Sequence, residues 1–198
     1  MSVVDKRTGK IYEIPVESDV LGSSLIDATK LRQIKLTDSD LGILSYDPGF
    51  VNTAACKSAI TFIDGSKGIL RYRGYPIEEL IEKASYLEVA YLIINGELPN
   101  QAQGKRWFED VSSQYTIHDS IKKIIANFHA DAHPMGIIIS TIAALSTIYP
   151  DAKNTVNHED RRKHICRLIA KIPTLVALSH RQSKGRPHIQ PDSDLNYT

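Results

Sequence analysis

Hydrophobic and polar positions follow two different periods along this chain, and the change comes near residue 76. Before it, short runs of β-branched and aromatic residues alternate with turn signals, which is typical of hairpins. A first hairpin is predicted over residues 2–16, with "RTGK" at its tip. A second is predicted from strands at 60–63 and 69–72 around the Gly-rich turn "DGSKG". The mixed polar residues 17–35 predict a loop or a short helix.

From Ile77 the apolar residues recur with the 3.6-residue period of an amphipathic helix. Pro76 is expected to be the first helical residue, where its missing N–H costs no hydrogen bond. Ser85 and Glu88 form a capping-box pattern that predicts a second helix, and Gly96 predicts its end. Further helices are predicted at 100–113, 117–128 and 134–148 and from about Arg161, with a kink at Pro173.

The two patterns divide the chain into a β-rich N-terminal segment with hairpins, residues 1–75, and a helical part, residues 76–198. The predicted fold class is therefore mainly α, with a short β-rich segment before the helices. The tail, residues 188–198, predicts irregular structure without a final helix. We expect a chain that has been cut short there, although a natural frayed terminus has the same appearance.

Composition and charge narrow the classes of partner. The 198 residues are 42% hydrophobic and 24% charged, which suits one globular domain with a core. The formal net charge of +1 gives no reason to expect a nucleic-acid or membrane partner. The longest apolar run, residues 135–149, is too short to span a bilayer. Cys56 and Cys166 predict free thiols in a reducing compartment, with a bridge left open.

The sequence "HADAHPM" is the most suggestive polar cluster. His129 and His133 lie four residues apart with Asp131 between them, a spacing that lets two histidines share a metal on one face of a helix. Pro134 follows directly, so this stretch precedes a helix, and capping by Asp131 or His133 is the favoured interpretation.

Basic residues at two other places are compatible with anion binding. Lys67, Arg71 and Arg73 lie in or after "DGSKG", and alternation places the two arginines on one face of a strand. A solvated face is favoured there over a phosphate site, because the P-loop pattern is missing. "HRQSKGRPH" is favoured as the basic C-terminus of a helix, and "HEDRRKH" as an exposed helix start. These residues alone predict no particular reaction.

Three longer stretches together resemble one family. "YDPGFVNTAACKSAITFIDGSKGILRYRGYPIEELIEKASYLEVAYLIINGELP" is similar to the N-terminal region of citrate synthases. "HADAHPMGIIISTIAAL" and "KIPTLVALSHRQSKGRPHIQPDSDLNYT" resemble the segments that follow it, in the same order. The opening "VVDKRTGKIYEIPV" is similar to the leader of the hexameric Gram-negative bacterial type and the plant peroxisomal type.

The resemblance implies a nearly all-α protein built from citrate-synthase large-domain helices, with the catalytic and small-domain part absent from this chain. It implies a homodimer or higher homo-oligomer. The apolar helix at 134–149 is a candidate for that interface, and a helix inside its own domain is the equal alternative. The implied reaction is the condensation of acetyl-CoA with oxaloacetate to citrate and CoA, in the tricarboxylic acid or glyoxylate cycle.

The resemblance does not carry catalytic residues into this chain. The family places them in a His-Gly loop, in a Gly-His stretch followed by Asp-Pro-Arg, and in an Asn-Val-Asp loop, and none of these patterns occurs here. We therefore assign no catalytic, cofactor-binding or metal residue, and expect no cofactor and no activity of this chain alone. His129 and Ala130 replace the paired arginines of the NADH-inhibited type, so NADH inhibition is not expected.

Two alternatives stay open. One is a 2-methylcitrate synthase, which uses propionyl-CoA. The other is a non-catalytic truncated scaffold or dimerisation partner of a longer synthase. The expected location is the cytoplasm, and the peroxisome is the alternative.

Overall fold

The structure, a computed structural model, describes residues 1–192 and Tyr197. It divides into two compact units, residues 1–58 and residues 59–198. The sequence predicts a different division, after residue 75, between β-rich and helical segments. That division concerns the type of secondary structure, and it stays a prediction.

The first unit consists of two hairpins and a short helix. Strands β1 (Ser2–Asp5) and β2 (Lys10–Glu13) pair antiparallel, which confirms the first predicted hairpin. Strands β3 (Val16–Ser18) and β4 (Ser24–Ile26) form a hairpin where a loop or short helix was predicted. A 3₁₀ helix at Ala28–Gln33 is that short helix.

The turn between β3 and β4 explains why their hairpin was not predicted. The carboxylate of Asp19 accepts hydrogen bonds from the backbone N–H groups of Leu21 and Ser23, both at 2.8 Å. One short polar side chain therefore organises the turn. The strands it joins are only three residues long, too short to show a period of two in sequence.

The second unit opens with a three-stranded sheet. Strands β5 (Thr61–Asp64), β6 (Ile69–Tyr72) and β7 (Tyr75–Pro76) lie in the order β5-β6-β7, which confirms the second predicted hairpin. The prediction for Pro76 is wrong, because this proline pairs with Arg71 in the sheet and is the N-cap of the first helix.

Six α-helices follow among the described residues. They are α1 (Ile77–Lys83), α2 (Tyr86–Asn95), α3 (Gln101–Ser112), α4 (Asp119–Ala126), α5 (Pro134–Ile148) and α6 (His158–Ser183), with a 3₁₀ helix at Pro150–Lys153 before α6. The capping box of Ser85 and Glu88 is complete at α2. Gly96 ends that helix with φ +98°, a left-handed conformation that glycine adopts without strain.

The last helix differs from its prediction at the start. It begins at His158, because the side chain of Asn157 accepts hydrogen bonds from the N–H groups of Glu159 and Asp160. It continues through Pro173 as one helix to Ser183. The predicted irregular tail is confirmed for residues 188–192, and its remaining residues, apart from Tyr197, lie outside the described part of the chain.

The helical unit contains two hydrophobic clusters, which confirm the mainly α fold class. The first cluster joins α4, α5 and α6 through Ile117, Ile121, Ile125, Ile137, Leu145, Leu175 and Leu178. The second joins α2, α3 and α6 through Leu87, Trp107, Val111, Cys166 and Ala170. Within the described residues, no helix is long and apolar enough to cross a membrane.

Candidate functional site

Of the two histidines before α5, one caps the helix and the other does not. His133 is the N-cap of α5, and its Nδ1 accepts a hydrogen bond from the N–H of Met135 at 3.2 Å. The capping interpretation is thus confirmed for His133. His129 instead forms a short contact through Nδ1 with the carboxylate of Asp131, and both side chains are exposed. Across the described residues, no three His, Cys, Asp or Glu side chains are grouped to hold a metal ion.

Two basic residues around the Gly-rich turn have different partners: Lys67 pairs with a carboxylate, and Arg73 bonds to a helix carbonyl. Lys67 Nζ lies 3.3 Å from the carboxylate of Asp64 in the same turn. Arg73 has φ +51° and follows the end of β6, so the predicted shared strand face with Arg71 is wrong. The guanidinium of Arg73 donates two hydrogen bonds, at 3.1 and 2.7 Å, to the carbonyl of Ile93 in the last turn of α2. A cation near a helix C-terminus is stabilised by the helix dipole.

A polar cluster that the sequence did not indicate lies where the 3₁₀ helix at Pro150–Lys153 meets α6. The guanidinium of Arg167 lies over the ring of Tyr149, 3.7 Å from its centroid. One of its nitrogens lies 3.1 Å from Nδ1 of His164 and 3.4 Å from the carboxylate of Asp151. Nε2 of His164 lies 2.9 Å from the carbonyl oxygen of Asp151. A neutral imidazole with its proton on Nε2 satisfies both of its contacts.

The charges of this cluster influence one another. Burial acts to raise the pKa of Asp151, but the hydrogen bond from Arg167 and its positive charge outweigh burial and leave that pKa below its usual range. The Arg167 guanidinium therefore faces an anion, an imidazole lone pair and an aromatic face. Such contacts hold it in one orientation.

Lys171 lies one helical turn after Arg167 and is only 2% exposed. Its ammonium group donates to the carbonyl of Gln114 at 2.7 Å and also to that of Thr116. Burial, followed by the charge of Arg167, lowers the pKa of Lys171 to about 8. Lys171 therefore joins α6 to the segment between α3 and α4. Its only sequence signal is a lysine within the apolar pattern "LIAKIPTL".

A cavity of about 460 Å³ lies between α3 and the first half of α6. Its walls include four basic side chains and two acidic ones: Arg106, Arg162, Lys163, Arg167, Asp110 and Glu159. Arg162 donates to the carboxylate of Asp110 at 2.9 Å. Cys166 also lines the wall, and burial raises its pKa, so its thiol stays protonated and weakly nucleophilic. The charged side chains of this cavity can bind a polar or anionic group. The described side chains that line it offer no activated nucleophile, so the cavity has the chemistry of a binding surface and not of a catalytic one.

Helix α5 has a buried and an exposed side. Ile137, Thr141 and Leu145 are buried, and the hydroxyl of Thr141 donates to the carbonyl of Ile137 at 2.8 Å. Met135 and Ile139 remain 53% and 64% exposed. The apolar sequence of α5 therefore serves the core of its own unit and also leaves large apolar side chains on the surface.

Known proteins resemble this chain along its whole length. A family model described as "Citrate synthase, C-terminal domain" matches residues 49–198. A citrate synthase of Dictyostelium discoideum is 44% identical over the whole chain, as is a peroxisomal citrate synthase of the same organism. A glyoxysomal citrate synthase of Cucurbita maxima is 42% identical, again over the whole chain. The chain spans 39%, 41% and 39% of the length of these relatives.

Solved structures of citrate synthases also resemble this chain. Citrate synthase from Pyrobaculum aerophilum superposes with a TM-score of 0.69 at 27% identity, over 92% of this chain and 42% of that one. Citrate synthase from Thermoplasma acidophilum, in ternary complex with carboxymethyl coenzyme A and oxaloacetate, gives 0.63 at 26% identity, over 71% of this chain and 37% of that one.

Proposed function

Because this chain belongs to the citrate synthase family, we propose that it is the amino-terminal portion of a citrate synthase, which condenses acetyl-CoA with oxaloacetate to citrate and CoA. One observation supports this above all. The similarity runs through the whole chain, while the matched relatives are more than twice as long. The proposed role of these residues is to build the helical framework against which the rest of such an enzyme folds.

Several polar side chains bond to the backbone of this chain, which supports a framework role. His133 accepts from the first turn of α5, His164 contacts the backbone of Asp151, and Lys171 donates to two carbonyls. Condensation needs a carboxylate to remove a proton from the thioester methyl and donors to polarise the ketone. We propose that these groups come from polypeptide outside this chain, in the family's His-Gly and Asn-Val-Asp loops.

An assay of thiol release tests this proposal. The purified 198-residue chain is mixed with acetyl-CoA, oxaloacetate and a reagent that reports free CoA. We expect no release above a protein-free control, and release when the complete protein is used. Citrate formed by the 198-residue chain alone would contradict the proposal.

The same assay separates the alternatives. Faster release from propionyl-CoA than from acetyl-CoA by the complete protein would favour a 2-methylcitrate synthase. A chain that lacks activity, and whose gene stops after Thr198, would favour a scaffold or dimerisation partner, and a longer synthase should then co-purify with it.

We also propose a homodimer or higher homo-oligomer. The exposed side chains of Met135 and Ile139 on α5 support this, because large apolar groups on a surface helix favour burial against a partner. Analytical ultracentrifugation of the chain and of Ile139→Asp tests it. A monomeric variant with an unchanged circular dichroism spectrum is the expected result, and a chain that is already monomeric at high concentration would contradict it.

The proposed location is the cytoplasm, with the peroxisome as the alternative. The similarity to relatives named peroxisomal and glyoxysomal supports that alternative. Imaging a fluorescent fusion of the complete protein beside a peroxisomal marker distinguishes the two.

A further inference from the structure

Pro173 removes one hydrogen bond from the middle of α6. A helical N–H donates to the carbonyl four residues earlier, and proline has no N–H. The carbonyl of Ile169 therefore lacks its donor within α6. Ile169 packs against the cluster around Cys166 and Ala170, where an unpaired carbonyl carries a desolvation cost.

Tyr197 donates to that same carbonyl. Its hydroxyl lies 2.7 Å from the oxygen of Ile169, although the two residues are 28 positions apart. This distance is typical of a strong O–H···O hydrogen bond. Burial is the largest of several effects that raise the pKa of Tyr197, so its hydroxyl keeps the proton that it donates.

The ring of Tyr197 is fixed from a second helix. It stacks on Tyr86 at the start of α2, with ring centroids 4.8 Å apart and planes 3° from parallel. Tyr115 lies 6.4 Å away in a tilted arrangement. Such aromatic contacts orient the hydroxyl before the hydrogen bond forms.

We infer that Tyr197 supplies the hydrogen bond that Pro173 removes, and that this exchange fastens Tyr197 to α2 and α6. Pro173 leaves the carbonyl of Ile169 without the N–H donor that any other residue at position 173 would supply. The hydroxyl of Tyr197, from outside the helix, donates to that carbonyl instead. The two residues should therefore be energetically coupled although they are not neighbours in sequence.

A double-mutant cycle measures that coupling in the 198-residue chain, with urea unfolding as the readout. Tyr197→Phe should lower the folding equilibrium constant roughly fivefold, since it leaves the carbonyl unpaired but keeps the ring. In the Pro173→Ala background the same change should cost less than about twofold, because the new N–H at residue 173 satisfies the carbonyl.

Tyr115→Phe is the matched control in the same aromatic group. Among the described residues, the hydroxyl of Tyr115 is buried without a hydrogen-bond partner, so its removal should not lower the folding constant. The inference would be overturned if Tyr197→Phe lowered the folding constant equally in the Pro173 and Pro173→Ala backgrounds. It would also be overturned if Tyr197→Phe had no effect in the chain that keeps Pro173.

A second measurement does not depend on stability. With ¹³C at the carbonyl of Ile169, Tyr197→Phe should move that resonance in the direction of a lost hydrogen bond, and Tyr115→Phe should not. An unchanged resonance in Tyr197→Phe would overturn the inference even if the variant were less stable.

Discussion

Each of the two units of this chain is stabilised internally by a different kind of interaction. In the described residues of the first unit, the buried hydrophobic side chains are Ile14 and Ile34. Its turns are organised by short-range hydrogen bonds that backbone N–H groups donate to the carboxylates of Asp5, Asp19 and Asp47. The second unit buries two clusters whose members come from helices far apart in sequence. Local polar chemistry is therefore sufficient to shape hairpins, whereas the helices depend on burial between elements.

The sharpest test of this contrast is a matched pair of isoleucines. Ile121 is fully buried in the second unit, so Ile121→Ala should lower the free energy of unfolding by about 3 kcal/mol. Ile11 in β2 is 66% exposed, and Ile11→Ala should cost less than about 1 kcal/mol. Urea titrations followed by the fluorescence of Trp107 and by circular dichroism give both values. Equal costs would mean that burial does not separate the units.

The two cysteines extend the contrast to reactivity. Cys56 in the first unit is exposed, and Cys166 in the second is buried, with its pKa raised by burial. A disulfide reagent should modify Cys56 at least about a hundredfold faster, since the second thiol must wait for the structure to open. Cys56→Ser should remove the fast phase. Two fast phases in the unaltered chain would contradict the described burial of Cys166.

Two lysines should respond to pH with opposite signs. Folding lowers the pKa of Lys171 from 10.5 to about 8, so the unfolded chain binds more protons between these values and stability rises with pH there. Relative to Lys171→Met, the chain should gain about 2 kcal/mol between pH 7 and 10.

Lys57 supplies the comparison from the first unit. Its hydrogen bond to Glu17 raises its pKa, so its contribution is present below 10.5 and is lost as the pH rises further. Relative to Lys57→Met, the chain should therefore lose stability at high pH. Unfolding midpoints measured across this range give both slopes, and a loss relative to Lys171→Met between pH 8 and 10 would contradict the burial of that amine.

The smallest effect concerns two helix caps. Ser85 caps α2, whose Leu87 and Leu92 are buried, so Ser85→Ala should cost about 1 kcal/mol. Asp27 caps the 3₁₀ helix at Ala28–Gln33, which buries no side chain, so Asp27→Ala should cost less than about 0.5 kcal/mol. Thermal unfolding of both variants measures the difference. A larger loss from Asp27→Ala would mean that local hydrogen bonds stabilise the first unit more than its burial indicates.

Local sequence predicted several elements whose ends are marked by a cap or a turn residue. The capping box at Ser85 and the helix start at His133 were both readable. The predicted start of α6, about Arg161, is three residues late, because Asp160 has the same capping chemistry as Asn157, the residue that caps the helix. The hairpin of β3 and β4 was missed because its strands are too short to show a period.

The family assignment depended on longer patterns. Resemblance over several segments indicated the citrate synthase family, and the comparisons confirmed it. Individual polar residues were harder to interpret. Alternation in the sequence placed Arg73 on a strand face with Arg71, but Arg73 has a positive φ and its guanidinium bonds to the last turn of α2. The role of Lys171 depends on carbonyls that lie more than fifty positions away.

By itself, the sequence determined the two predicted hairpins, the helices, the caps at Ser85 and His133, and the family, because these depend on neighbours within a few residues or on long matching patterns. Only the tertiary structure decided which polar groups meet. A carbonyl left open by Pro173 and the hydroxyl of Tyr197 carry no mark in sequence that relates one to the other. Hydrogen bonds across the core are fixed by packing geometry, and the identities of the two residues do not encode that geometry.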